Sequence, residues 1–88
     1  MKVLDGTIDK ILEWDRKGYN IILLTGRRES LRRQTERQLD EVGIIYDQLI
    51  MGVGGGARVL INDKKPDGTP TAFSFNPNRN EGISNIDI

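Results

Sequence analysis

The chain has 88 residues, thirteen basic and thirteen acidic side chains, and neither histidine nor cysteine. That inventory excludes disulfides, thiolate nucleophiles, Cys-type zinc sites and any Ser-His pair, leaving carboxylates, hydroxyls, ammonium and guanidinium groups as the available chemistry. A net charge of zero argues against the basic excess that carries much nucleic-acid affinity, no run nears the ~18 apolar residues of a membrane span, and nothing in MKVLDGTIDK reads as a signal peptide. The expectation is one small domain of a reducing, cytoplasmic compartment, with a core over residues 1–76 and a polar tail over 77–88.

Ile8, Ile11 and Leu12 recur at helical spacing, so the pattern predicts a first helix over residues 8–17, with Asp5 or Thr7 as its N-cap and Gly18 at its end. Ile21, Ile22, Leu23 and Leu24 form a continuous apolar run that is too short for a helix, as in a parallel strand buried on both faces. Leu31, Thr35, Leu39 and Val42 make one stripe of a second amphipathic helix over residues 29–42, closed by Gly43. Further strands are expected at residues 48–51, 59–62 and 71–75, separated by the glycine-rich GVGGGAR and the turn-forming KKPDGTP. Ile83 and Ile86 would tether the tail. Alternating strands and helices indicate an α/β layer fold with a small, mostly parallel sheet.

Ligands of open parallel sheets gather at the carboxyl ends of strands. At the first such end, Thr25 offers a hydroxyl, Gly26 admits close approach of the backbone to an anion, and Arg27 and Arg28 add positive charge. A plain strand-to-helix turn, capped by Glu29 or Ser30, accounts for the same residue types. At the second end, Asn62, Asp63 and Asp67 follow the run at 59–61. Asp63 suits a Mg²⁺ ion that keeps waters and takes phosphate oxygens, while Pro66, Asp67 and Gly68 also read as an ordinary β-turn.

Gly52, Gly54 and Ala57 satisfy G-x-G-x-x-A, but a strand rather than a helix is expected next, so no dinucleotide site is assigned and the stretch reads as a connection that brings Arg58 near the strand ends. The five arginines between Arg27 and Arg37 read either as an anion-binding patch or as a solvated helix face with Glu29-Arg33 and Arg33-Arg37 neighbours. Trp14 and Tyr19 are expected to pack at the helix-to-strand corner.

The run GTIDKILEWDRKGYNIILLTGR, then a helix, then VLINDKKPDG, resembles the Rossmann-like core of the haloacid dehalogenase superfamily, whose members are mostly Mg²⁺-dependent phosphatases. The resemblance spans residues 4–66. It implies a three-layer α/β core in which Thr25 binds the phosphoryl group with Gly26 and Arg27, Asp63 holds Mg²⁺, and Asp67 serves as a second acid. Arg58, or else Lys64 or Lys65, would stand for the family's phosphate-neutralising lysine.

The family's D-x-D-G-T strand has no counterpart. Asp5-Gly6-Thr7 would place Val3 at the nucleophile, and a hydrocarbon cannot form an aspartyl-phosphate. Gly6 instead stands twelve residues ahead of Gly18 and nineteen ahead of Thr25, the spacing of the family's helix before its Thr strand. The resemblance therefore implies a truncated or degenerate domain whose nucleophile strand would lie before Met1. Such a domain would bind phosphate or a phosphorylated small molecule and have little or no activity alone. The gap beside the first strand would be filled by a stunted strand near Met1, by a second chain, or by closing of the sheet. The alternative is a non-catalytic α/β module that binds an anion, a nucleotide or a partner.

Overall fold

The computed structural model describes residues 2–88 and has a small α/β fold. Helix α1 spans Thr7–Arg16 and buries Ile11. Its N-cap is Gly6, with no side-chain cap, instead of Asp5 or Thr7. The reason is tertiary: Gly6 takes φ 83°, and a Cβ there would stand 2.8 Å from the Cβ of Ser84, where the tail crosses the helix start. The helix ends at Lys17, and Gly18 follows at φ 85° in the left-handed region that glycine adopts without strain.

Strand β1, Ile22–Leu24, leads through a single turn of 3₁₀ helix at Glu29–Leu31 into α2, Arg32–Val42, and then into β2, Gln48–Ile50. The two strands are parallel, with Ile22 opposite Gln48 and Leu24 opposite Ile50. A parallel pair needs a crossover, and α2 supplies it. Leu39 on α2 packs with Leu49 and Met51, and Leu23, Ile44 and Tyr46 close around them. Thr35 and Leu39 are the buried members of the expected stripe, whereas Leu31 is exposed. Asp47 locks the start of the sheet: its Oδ2 accepts from the Ile21 amide at 2.7 Å, and its own amide donates to the Ile21 carbonyl at 2.8 Å.

Alternation along the strands turns Leu23 and Leu49 toward the helices and leaves Ile22, Leu24 and Ile50 exposed on the opposite face. The strands expected at 59–62 and 71–75 do not form. Val59, Leu60 and Ile61 are 83%, 73% and 91% exposed. These segments are joined where the Asn62 Nδ2 donates to Thr71 Oγ1 at 2.8 Å and that hydroxyl donates to the Asp63 carbonyl at 2.6 Å. β-Branched composition favours a pleated, half-buried surface, and no neighbouring strand supplies one. Residues 2–4 form no strand either, and Met1 lies outside the described residues.

The tail folds back as expected, with Ile83 and Ile86 half-buried. Asp87 accepts from Lys10 Nζ at 2.9 Å, and Lys17 Nζ donates to the Ile88 carbonyl at 2.9 Å. Among the described residues, no helix is long and apolar enough to cross a membrane.

Candidate functional site

The carboxyl ends of β1 and β2 are stitched together beyond the regular ladder. Thr25 donates its amide to the Ile50 carbonyl at 3.0 Å and accepts from the Val53 amide at 3.0 Å, and Gly52 donates to the Arg27 carbonyl at 2.7 Å. Thr25 Oγ1 accepts from the Arg27 amide at 3.2 Å, which folds the chain into a hydroxyl-capped turn. Gly26 is exposed but crowded on its Cβ side: a Cβ there would stand 3.1 Å from the Val53 carbonyl oxygen. The expected turn is present at this strand end.

Thr25 and Arg27 face a cleft of about 400 Å³ whose walls come from Thr7 and Ile11 on α1 and Thr35 and Leu39 on α2. Arg27 reaches back across it, its Nη1 donating to Thr35 Oγ1 at 3.2 Å and to Gln38 Oε1 at 2.6 Å. A guanidinium carries five donors, so Nε and Nη2 stay available to an anion. Thr25 keeps its own O–H as a donor. The amides of Gly26, Gly54, Gly55 and Gly56 make no hydrogen bond among the described residues. Unpaired amides beside a hydroxyl at a strand end form the kind of concavity that receives oxyanions.

The other expected residues lie outside this cleft. Arg58 donates to the Gly56 carbonyl within its own loop. Asp63 is exposed, and its carboxylate accepts no hydrogen bond among the described residues. Asp67 sits in the β-turn that its neighbours predict: Gly68 donates to the Lys65 carbonyl at 2.8 Å, and Asp67 Oδ1 accepts from the Thr69 amide at 2.9 Å. Hydrogen bonds from Thr69 hold the Asp67 carboxyl below its ordinary range. No group of three or more acidic side chains gathers among the described residues. A Mg²⁺ ion at this end would find at most the exposed Asp63 and Asp67 carboxylates as protein ligands and would take its remaining ligands from water or phosphate.

The arginine-rich face pairs differently from the expected Glu29-Arg33 register. Arg32 makes a two-pronged contact with Glu29, at 2.5 and 3.1 Å, a further one with Glu36 at 3.4 Å, and donates to the Leu49 carbonyl at 3.0 Å. The Arg32 guanidinium pulls the Glu29 carboxyl below its ordinary value. Arg28, Arg33 and Arg37 remain exposed. Trp14 and Tyr19 are joined at the corner by a backbone hydrogen bond, the Tyr19 amide donating to the Trp14 carbonyl at 3.1 Å, while Tyr19 itself is exposed rather than packed. Gln38 and Asp47 were not legible as partners of the strand ends; the one local signal was an aspartate set immediately before an apolar run.

Compared with protein-family models, curated proteins and solved structures, the chain finds no match.

Proposed function

We propose that the chain is a phosphate-handling α/β domain of the haloacid dehalogenase type, in which the carboxyl end of β1 receives the phosphoryl group of a small molecule or free phosphate. The observation that carries this reading is the stitched strand end, where Thr25, with its hydroxyl, and Arg27, with two free edges of its guanidinium, line one cleft and flank the unpaired Gly26 amide in the chain. In this reading the Rossmann-like three-layer core is built on the β1-α2-β2 unit, Asp63 with Asp67 takes Mg²⁺, and Arg58 adds charge from the glycine-rich loop. The metal would neutralise phosphate charge. With no D-x-D in these 88 residues, the chain by itself binds and does not hydrolyse.

Titration calorimetry with inorganic phosphate, with and without Mg²⁺, tests the reading. Phosphate binding that weakens at least tenfold in Thr25→Val, and that Mg²⁺ strengthens only while Asp63 is present, is the expected result. Mg²⁺-dependent phosphatase activity that survives Asp5→Ala and vanishes in Asp63→Ala would contradict the binding-only assignment. A second reading, a non-catalytic anion- or nucleotide-binding module, draws on the position of Asp63 and Asp67 outside the Thr25 cleft. Binding indifferent to both Mg²⁺ and Asp63 selects it.

A further inference from the structure

Beyond phosphate handling, the free edge of β1 has the features of a docking groove for an extended apolar strand. Among the described residues the sheet has two strands. Ile21 and Thr25 use their main-chain groups toward β2, so by the alternation of a parallel ladder Ile22 and Leu24 point their N–H and C=O groups to the outer edge, where no strand pairs with them. A groove of about 520 Å³ runs along that edge, floored by Ile21, Ile22 and Leu23 and walled by Trp14, Tyr19 and Ile83 among others. The indole Nε1 of Trp14, one of the residues that wall it, is buried and has no hydrogen-bond partner among the described residues. A buried donor without an acceptor is costly, at roughly 1–3 kcal/mol, and a strand entering the groove brings carbonyl oxygens.

The same chain carries a matching segment. Val59, Leu60 and Ile61 lie in no helix or strand, are uncharged and are largely exposed. The chain exposes 7252 Å², against about 5,200 Å² for a folded monomer of its mass. Its radius of gyration is 14.7 Å, where about 12 Å is usual for this length. The excess of about 2,000 Å² is more than twice the ~800 Å² that each partner contributes to a standard interface. Net charge is zero, so two copies meet without overall repulsion.

We propose that two copies of this chain associate reciprocally, residues 59–61 of each adding as a strand to the β1 edge of the other. One groove and one strand per chain make the contact self-complementary, as a two-fold dimer requires.

Light scattering on the full chain at micromolar concentration, joined with amide exchange, tests this. The expected mass is twice 9.9 kDa, with slow exchange at Ile22 and Leu24. Leu60→Lys should return the monomer and release both amides. Leu60 is solvent-exposed in the single chain, so that substitution leaves the fold intact, which the α1 and α2 amides check. Trp14→Phe, which removes the indole donor, should weaken association several-fold. A monomer with fast exchange at Ile22 and Leu24 overturns the proposal. So does a dimer indifferent to Leu60→Lys, which would use another surface. A monomer in which Leu60→Lys releases protected Ile22 and Leu24 amides also overturns it, since the chain would then fill its own groove.

Discussion

Arg27 closes its guanidinium onto Thr35, donating from Nη1 to the hydroxyl at 3.2 Å, and Thr35 is a buried polar residue at 3% exposure. The pair ties the carboxyl end of β1 to the middle of α2, with Gln38 as a second acceptor at 2.6 Å. Arg27 therefore positions the strand end while keeping donors for an anion. Arg27→Ala should lower stability by about 1.5–3 kcal/mol, the range for hydrogen bonds to a charged group. Thr35→Val should cost less, because Gln38 still accepts. In a double-mutant cycle followed by urea unfolding, the two losses should fall short of additive by about 0.5 kcal/mol or more. Arg27→Lys should rescue only part, since the shorter lysine stem places its ammonium short of where Nη1 meets Thr35 and Gln38. Strict additivity would mean that the pair contributes nothing.

Gly26 makes a separate prediction about the same strand end. Its backbone is not in the left-handed region, so only space limits it, and a Cβ would stand 3.1 Å from the Val53 carbonyl oxygen. Gly26→Ala gains about 0.4–1 kcal/mol from a stiffer unfolded chain but must displace a carbonyl whose residue is held by the Val53 amide bond to Thr25. Overpacking of this kind costs about 1–3 kcal/mol, so the net change should be destabilising. Amide chemical shifts of Gly52 and Val53 should move with it, while those of α1 stay fixed. A stabilised variant would mean that the strand ends are looser than their hydrogen bonds imply.

The helices were legible in the sequence because their signals are local. A stripe at 3.6-residue spacing and a glycine at each carboxyl end need no knowledge of the rest of the chain, and Gly18 and Gly43 take the expected left-handed conformation. β1 and β2 were legible as short apolar runs, and the βαβ order joined them. Residues 59–62 and 71–75 carried the same kind of signal without becoming strands, because a strand is completed only by a neighbour that its own sequence does not specify. The Thr25–Gly26 turn was readable for the same local reason as the helix ends. The grip of Arg27 on Thr35 and Gln38 was not, since it depends on where α2 lies over the sheet.

The tail tether should respond to pH from both sides. The hydrogen bond from Lys10 lowers the Asp87 carboxyl below its ordinary 3.8, and its bonds to Asp87 and Glu13 raise the Lys10 ammonium above 10.5. A depressed carboxylate contributes above its ordinary value and loses that contribution as pH falls through the lowered one. A raised ammonium contributes below its ordinary value and loses that as pH rises through the higher one. Contacts of residues 83–88 with α1 should therefore hold across the middle range and release in acid and again in strong alkali. Methyl shifts of Ile83 and Ile86 followed against pH report both steps. Lys10→Gln should flatten the alkaline step. Because the pair is exposed, high salt should weaken the tether throughout.

Asp47 gives the sharpest test of how the sheet is started. Ile21 is buried, and its amide has the Asp47 carboxylate at 2.7 Å as acceptor, while the backbone of Asp47 returns a hydrogen bond to the Ile21 carbonyl at 2.8 Å. Asp47→Ala keeps the backbone half of this exchange and removes the side-chain half, leaving a buried N–H without an acceptor. The expected loss is about 1–3 kcal/mol. Asp47→Asn keeps an acceptor oxygen at the same reach and should recover much of that loss, the remainder being the difference between a charged and a neutral acceptor. Because β1 and β2 register at Ile22 and Gln48, one position beyond this contact, the Ala variant should also speed amide exchange along the two strands relative to α1. Equal exchange in both variants would place the start of the sheet elsewhere, in the packing of Leu23 and Leu49 against Leu39.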